Sequence, residues 1–337
     1  MLRFVGDICF ADNHFDVGFG VGSTIKKGSN PFQNITKDPD DCWIGNFECV
    51  TSNKTVHSNY RRNCFRIEPS LLKQCQLFDY FGIANNHVME HGSEAYLDME
   101  CQLKAICKGT FGSEHNKSIT FSHQGKSISV TGFSLRREES KDKPLYWSMP
   151  DASEIVAEYA TLTSDFKIAY IHWGVEFINF PSIDQIRFAH WLIDLGYDLI
   201  IGMHPHILQG YEVYKGKHIF YSLGNFVFNM AYCPTKYSIV VNVDAEGWNV
   251  THQYVHIGND YKPVLIDKQK VPKTFRMNHL NKLVGQERNP EEYIHIADKD
   301  LKRYRKAHHW AFIKNLYRYD FRVLFSILFD FIKRKIK

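Results

Sequence analysis

Short apolar runs alternate with helix-like patterns through most of the chain before residue 267. Eight runs predict β-strands: LRFVGDICF, CWIGNFE, YFGIANN, SISVTGFS, KIAYIHWG, DLIIGMH, HIFYSLGNFVF and SIVVNVDA. Helices are predicted in EPSLLKQCQLF, in GSEAYLDMECQLKAIC and, with a serine N-cap and a glycine stop, from Ser182 to Gly196. Strands that alternate with helices indicate a layered α/β architecture.

The residues after position 266 differ in charge. Residues 267–337 contain 18 Lys and Arg against 8 Asp and Glu, whereas the net charge of the whole chain is only +4. This change predicts a boundary between a domain at 1–266 and a basic, mainly helical C-terminal extension at 267–337. Helices are expected over residues 290–315 and 319–336.

The last predicted helix contains the apolar run RVLFSILFDFI and is followed by KRKIK. Either it docks on the domain with its lysines in solvent, or it lies on an anionic membrane surface with its apolar rings in the interface. The start of the sequence, MLRFVGDICFAD, lacks the features of a signal peptide, and eight cysteines without a C-x-x-C pair predict free thiols. We therefore expect a cytoplasmic protein, with peripheral association at the inner face of the membrane as an open alternative.

Polar side chains recur where the predicted strands end. The residues that could bind a metal ion there are Asp7, Glu48, Asn86, His172, His204 and His206. Because ligands of open α/β sheets gather outside the carboxyl ends of the strands, these residues are expected to converge on one cleft. Oxygen and imidazole donors without thiolates suit Mn²⁺, Fe²⁺ or Zn²⁺.

Six ligands are too many for one tetrahedral zinc ion. They predict two ions about 3.5 to 4 Å apart that share one carboxylate. In the sequence HPH, residues two apart on an extended chain face the same way, and Pro205 stiffens the turn between the two histidines. His204 and His206 are therefore expected to reach neighbouring ions.

The ordered motifs GDICF, GNFE, NNHVMEHG, HWGVEF and GMHPHILQGYEVYKGKHIFYSLGNFVF resemble the poly-γ-glutamate capsule-biosynthesis (CapA-like) family over residues 1–245. That family is similar in fold to calcineurin-like metallophosphoesterases. The resemblance implies a four-layer α/β/β/α sandwich with a metal cleft at the strand ends.

The resemblance also implies roles for single residues. Asp7 and His206 would bind the first ion, and Glu48 would take the place of the bridging carboxylate. The second ion would be held by Asn86, His172 and His204. His87 would be the general acid that protonates the leaving oxygen, since its proton is shared near neutral pH.

Two residues depart from the family pattern. Cys9 occupies the place of the histidine in the usual Asp-x-His motif. The first ion would then be bound weakly or by a different ligand. Cys9 itself is either a thiolate ligand or a buried inert thiol. Glu90 replaces the aspartate that commonly follows NNH and keeps a carboxylate one methylene longer. Asn85 and Glu90 are expected to orient the ligands.

Four residues are candidates for substrate binding. Arg66 could pair with an anionic substrate or form a structural ion pair, and Asn46 is a further candidate. Glu176 could contact substrate or orient His172, and Asn225 could donate to a substrate oxygen or fix a turn. The cluster YRRNCFR comes without a nucleic-acid-binding motif or stacking platform, so no nucleic acid partner is expected.

These residues predict a metal-dependent phosphoesterase-like hydrolase that acts on an anionic small molecule or polymer. The setting, bacterial capsule, exopolysaccharide or poly-γ-glutamate biosynthesis, is implied by the resemblance. The alternative is a non-catalytic, polymer-binding component of a membrane capsule-assembly complex, with capsule-synthesis proteins as partners. ATP-driven ligation by this chain alone is disfavoured because G-x-x-x-x-G-K-[ST] does not occur.

Overall fold

Two stacked β-sheets carry the predicted site residues. The computed structural model describes residues 1–136, 142–286 and 288–336. The strands, in chain order, are β1 (Leu2–Ile8), β2 (Cys42–Phe47), β3 (Val50–Thr51), β4 (Arg66–Ile67), β5 (Tyr80–Gly82), β6 (Gly109–Phe111), β7 (Ser118–His123), β8 (Lys126–Ser134), β9 (Phe166–His172), β10 (Leu199–Met203), β11 (Tyr211–Tyr214), β12 (Lys217–Phe220), β13 (Asn225–Val227), β14 (Tyr237–Asp244), β15 (Asn249–Ile257) and β16 (Pro263–Ile266).

The helices lie mainly outside the sheets. They are α1 (Val21–Lys26), α2 (Ser93–Lys104), α3 (Ala152–Thr161), α4 (Ile183–Leu195), α5 (Met277–Val284), α6 (Pro290–Lys314) and α7 (Phe321–Ile336). The first sheet has the order β16-β15-β14-β1-β2-β5-β6, with β13 also paired to β1, and the second has the order β11-β12-β10-β9-β8-β7. β3 and β4 form a separate pair.

Three apolar clusters hold these layers together. Between the sheets, Phe4 of the first packs with Ile168 and Leu199 of the second. On the outer face of the first sheet α2 packs against strand residues, and on the outer face of the second α4 contributes Leu192 to a cluster with Ile200. The order helix, sheet, sheet, helix confirms the expected four-layer α/β/β/α sandwich.

The local predictions succeed where a pattern has clear ends. Ser182 accepts from the backbone N–H of Gln185 in a capping box, and Gly196 ends α4 with a φ of 128°, which confirms the predicted helix. The segment EPSLLKQCQLF does not form the predicted α-helix, because Pro69–Cys75 adopts a 3-10 helix, a tighter form used in short connections.

The run HIFYSLGNFVF, predicted as one strand, is divided between the two sheets. β12 pairs with β10 in the second sheet, whereas β13 pairs with β1 in the first. Gly224 lies between them with a φ of 74°, a left-handed conformation that favours glycine. The chain therefore passes from the second sheet to the first just before Asn225.

The basic segment, residues 267–337, contacts the sandwich at several points. Tyr304 of α6 stacks on Phe177 with ring centroids 3.7 Å apart, and Tyr319 packs edge-on against Phe19 at 4.9 Å. Leu280 of α5 is fully buried in the cluster between the sheets. Asp330 of α7 pairs with Arg61 at 3.1 Å, so docking on the domain, one of the two interpretations of the last helix, describes one side of α7. The boundary at residue 266 stays a prediction.

Two further expectations concern the whole described chain. The seven cysteines whose side chains are described are free thiols. Among the described helices, none is both long enough and apolar enough to cross a membrane.

Candidate metal centre

The carboxyl ends of strands from both sheets bring the predicted ligands together. Asp7 lies near the end of β1, Glu48 directly follows β2, His172 ends β9 and His204 follows β10. β1 and β2 are parallel neighbours, as are β9 and β10. Parallel strands present their carboxyl ends at one edge, so four separate segments meet in one place.

The ligand atoms form three overlapping groups in which all atoms lie within 4.8 Å of one another. One group is Asp7, Glu48 and His206; a second is Glu48, His172 and His204; the third is Glu176, His204 and His206. Asn86, the sixth predicted ligand, lies beside them, with its Oδ1 2.8 Å from His172 Nε2. Glu48 belongs to the first two groups, which is the position a bridging carboxylate needs.

The HPH corner is not the extended segment predicted from the sequence. His204 and His206 have φ values of 94° and 59°, in the left-handed region that β-carbon-bearing residues rarely adopt. The backbone N–H of His204 donates to Asp7 Oδ2 at 3.2 Å, and the carbonyl of Pro205 accepts from Phe177 N at 2.9 Å. These contacts hold a conformation that costs free energy, a feature common at functional sites.

Three buried polar atoms of the centre have no hydrogen-bond partner among the described residues. They are Glu48 Oε1 and both ring nitrogens of His204, and both side chains are 0% exposed. An unsatisfied buried polar group costs about 1–3 kcal/mol, so such groups are uncommon unless something binds them. Carboxylate and imidazole donors left without protein partners fit a divalent metal ion.

Burial and mutual repulsion set the charge states of these groups. Burial, reinforced by the neighbouring charge of Asp7, raises the pKa of Glu48 well above its usual range. Burial opposes ionisation of Asp7 too, but the hydrogen bond and charge of His206 outweigh it and lower the pKa of Asp7. Burial lowers the pKa of His172 to about 3 and lowers that of His204 strongly. Neutral imidazole is the form that binds metals.

Carboxamides fix the orientation of the ligands. Asn46 Nδ2 donates to Asp7 Oδ1 at 2.8 Å, and Asn85 Nδ2 donates to Asn46 Oδ1 at 3.0 Å. Asn225 Oδ1 lies 2.9 Å from His206 Nδ1 and accepts a hydrogen bond from it. Asn46 and Asn225 are almost fully buried, so their geometry favours orienting the ligands over the substrate contacts predicted for them.

His87 is held from two sides at the edge of the centre. Its Nδ1 lies 2.9 Å from Glu90 Oε2, and its ring stacks on Phe65 with centroids 4.0 Å apart. Glu90 Oε1 is also 3.5 Å from His14 Nε2. Burial opposes ionisation of Glu90, but the hydrogen bonds from His14 and His87 outweigh it and lower its pKa. The longer carboxylate at position 90 therefore still reaches the histidine.

Cys9 and Glu176 differ in how well each could bind a metal ion. Cys9 is buried, its Sγ lies 3.8 Å from Ala11 O, and burial raises the pKa of its thiol well above the usual range. A neutral thiol is a poor ligand, which favours the inert interpretation. The carboxylate of Glu176, on the loop after β9, lies within 4.8 Å of His204 and His206, so it is a further candidate ligand.

Arg66 and Arg136 lie in different places relative to the ligands. Arg66 donates to the backbone carbonyls of Ser52 and Arg62, each at 2.6 Å, and lines a separate cavity of about 230 Å³. Arg136, which sequence reasoning missed, lies close enough to contribute to the lowered pKa values of His172 and His204. The basic pair after the strand SISVTGFS was the available signal.

Comparison with curated proteins finds capsule and PGA biosynthesis proteins among the relatives. Capsule biosynthesis protein CapA of Bacillus anthracis is 32% identical over 180 residues, 49% of this chain and 43% of that protein. PGA biosynthesis protein CapA of Bacillus subtilis is 31% identical over 218 residues, 60% of this chain and 57% of that protein. The chain thus spans about half the length of the curated relatives it matches.

Among solved structures, 5'-nucleotidase from Candida albicans superposes with a TM-score of 0.46 and 13% identity, over 91% of this chain and 58% of that one. A likeness of that degree carries no conclusion about activity. Residues 1–230 match the family described as bacterial capsule synthesis protein PGA_cap. Because that match covers more than half of the chain, this protein belongs to the PGA_cap family of bacterial capsule synthesis proteins.

Proposed function

We propose that this protein is a metal-dependent hydrolase of the phosphoesterase type. Its substrate would be an anionic precursor or polymer in capsule, exopolysaccharide or poly-γ-glutamate biosynthesis. The observation that carries the proposal is the set of unpaired buried atoms on Glu48 and His204 amid three groups of convergent ligands. The names of the relatives, capsule and PGA biosynthesis proteins, support the biosynthetic setting.

The proposed ligands divide between two ions of Mn, Fe or Zn. Asp7 and His206 would hold one ion, Asn86, His172 and His204 the other, and Glu48 both. Bound ions of this kind polarise a phosphoryl oxygen and supply hydroxide near neutral pH. The hydrogen bonds from Asn46 to Asp7 and between His206 and Asn225 keep the donors in place.

The chain's own residues would handle the proton and the substrate charge. Glu90 occupies Nδ1 of His87, so Nε2 is the nitrogen left to give a proton to the leaving oxygen. The stack on Phe65 fixes the plane of the ring. Arg136 adds positive charge beside the imidazoles, which would attract an anionic substrate.

Hydrolysis of two phosphoesters by full-length protein purified without chelators tests the proposal. We expect hydrolysis of p-nitrophenyl phosphate and of an alkyl phosphate in the presence of Mn²⁺, Fe²⁺ or Zn²⁺. For His87→Gln we expect about a 10²–10⁴-fold loss with the alkyl phosphate, whose leaving oxygen needs a proton, and a smaller loss with p-nitrophenyl phosphate. Metal content should stay unchanged.

The matched control is His115→Gln, because His115 is 65% exposed, and this variant should keep full activity. A protein that binds metal and anionic polymer but hydrolyses neither ester would overturn the hydrolase and establish the non-catalytic binding component instead. A protein that binds no ion would overturn the centre itself. Equal losses with both esters would remove His87 from the general-acid role.

A further inference from the structure

The basic segment exposes large apolar side chains along the end of α6, the turn after it and α7. Each of the following is between 40% and 85% exposed: Trp310, Ile313, Leu316, Tyr317, Phe321, Phe325, Leu328 and Ile332. In this article they are called the apolar stripe. Outside this segment most exposed apolar side chains, such as Val56 and Leu97, are isolated along the chain, which is normal for a protein surface.

Docking of α7 by its other side directs the stripe outward. Val323 packs partly buried against the cluster outside the first sheet, and Asp330 pairs with Arg61 at 3.1 Å. The buried Tyr319 donates from its hydroxyl to the carbonyl of Phe15. Stripe positions on α7 are four, seven and eleven residues after Phe321, the spacing of one helix face. The exposure of this face is therefore a product of the fold.

Positive charge accompanies the stripe. A cavity of about 270 Å³ is lined jointly by cations and by two members of the stripe: Lys302, Arg305, Lys306, His309, Trp310 and Ile313. Arg322, which is exposed, directly follows Phe321 in the chain. Cationic side chains beside aromatic and aliphatic ones are the composition that binds anionic phospholipid headgroups at a membrane surface.

Charge and length indicate the occupant of this surface. A second copy would bring another segment with 18 Lys and Arg against 8 Asp and Glu, so like charges would meet. The 16 residues of α7 span about 24 Å along the helix axis, and apolar residues on one face suit a helix that lies along a surface.

We propose that the apolar stripe enters the interface of an anionic lipid bilayer while the neighbouring Lys and Arg side chains contact the headgroups. The proposal does not depend on the hydrolase activity. It has a structural consequence for the centre, because Tyr304 of the same α6 stacks on Phe177 beside Glu176. The bilayer-facing helix would thus be joined directly to the loop that borders the ligands.

Sedimentation of the full-length protein with vesicles tests this proposal. We expect it to bind vesicles of phosphatidylglycerol and phosphatidylcholine at least about 10-fold more tightly than vesicles of phosphatidylcholine alone, since each cation near an anionic surface adds about 1 kcal/mol. The difference should disappear at about 1 M salt, where the Debye length falls to about 3 Å.

Matched double variants assign the binding to the stripe. Phe321→Ser with Phe325→Ser removes side chains that are 79% and 64% exposed, and we expect at least about a 10-fold loss of binding. Leu97→Ser with Val213→Ser removes side chains that are 52% and 54% exposed elsewhere, and binding should be unchanged. Thermal unfolding of both variants checks that the fold is retained.

The headgroup contacts need a second pair of variants. Lys302→Gln with Lys306→Gln should weaken binding to anionic vesicles only, whereas Lys27→Gln with Lys104→Gln, exposed lysines outside the segment, should not. No binding to either vesicle, equal binding to both, or equal losses in stripe and control variants would overturn the proposal. So would light scattering that shows a dimer dissociated by the Phe321 and Phe325 changes, which would make the stripe an interface between copies.

Discussion

The metal centre and the apolar stripe depart in opposite ways from the usual distribution of side chains. In the centre, one carboxylate oxygen of Glu48 and both ring nitrogens of His204 are buried without a hydrogen bond, whereas in the stripe Phe321 and Tyr317 are 79% and 85% exposed. Each arrangement costs free energy in the isolated protein. The proposed ligands, a divalent ion in one region and lipid in the other, would each offset that cost.

The two regions also differ in how firmly they are held. Ligands of the centre are fixed by buried hydrogen bonds, including those between Asn46 and Asp7 and between Asn225 and His206. The stripe is carried by helices joined to the sandwich by aromatic contacts and a partly exposed ion pair. Single substitutions should therefore have large effects on function in the centre and small effects on stability at the exposed surface of α7.

The largest effect is expected for His204→Ala. Loss of a ligand should lower hydrolytic activity more than about 100-fold, since even the loss of a group behind a ligand costs 10- to 100-fold. Added Mn²⁺ should raise the melting temperature of the natural protein much more than that of the variant. His218→Ala, a partly buried histidine on β12, is the control. An unchanged response of His204→Ala to metal would remove His204 from the ligands.

Glu90→Gln should reduce activity by about 10-fold or more while metal content stays the same, because His87 loses its charged anchor. The variant should also be less stable at pH 7 by about 2 kcal/mol. The pKa of Glu90 is lowered in the folded protein, so its stabilisation is present above its ordinary value of 4.5 and is lost as the pH falls through the lowered value. Urea unfolding from pH 7 down to pH 3 measures this. Because the lowered pKa lies below this range, the stability gap between the two proteins should narrow between pH 4.5 and pH 3 without closing. A gap that stayed constant below pH 4.5 would contradict the assignment.

Glu176→Gln and Cys9→Ser form the third comparison. We expect Glu176→Gln to weaken metal binding by about 10-fold, because its carboxylate lies with His204 and His206. Cys9→Ser should leave metal binding unchanged, since the thiol is neutral and turned toward Ala11. Isothermal titration with Mn²⁺ measures both. The reverse order of effects would make Cys9 the ligand.

The smallest effect is expected for Asp330→Asn in α7. Its ion pair with Arg61 is 3.1 Å long, and both side chains are partly exposed. Such pairs contribute less than about 1 kcal/mol, so the free energy of unfolding should fall by no more than that. Chemical denaturation measures the change. A loss above about 2 kcal/mol would contradict the view that α7 is held loosely.

The sequence is most informative where burial and chain order suffice. Apolar runs that end in Asp7, Glu48, His172 and His204 placed those residues at strand ends, and the parallel strands then bring them together. The two ends of α4 could be predicted for the same reason, because Ser182 and Gly196 interact only with residues near them in the chain. Patterns of this kind depend only on near neighbours in the chain.

Features set by distant contacts could not be predicted. The left-handed corner at His204 and His206 is held by Asp7 and Phe177, far away in the chain. HIFYSLGNFVF is divided because its first part pairs with β10 in one sheet and its last part pairs with β1 in the other. Arg136 comes from a loop, where periodicity gives no information about direction. Glu176 was a candidate for substrate contact or for orienting His172, but its position beside His204 and His206 was not predicted. Their neighbours become known only from the fold.

The most direct test of the central claim is anomalous X-ray diffraction from crystals of the metal-loaded protein, measured at the absorption edge of the bound ion. We expect two peaks about 3.5 to 4 Å apart, with Glu48 between them and His204 bound to one ion through a ring nitrogen. Peaks elsewhere in the molecule, or none at the carboxyl ends of β1, β2, β9 and β10 after soaking with Mn²⁺, would contradict it.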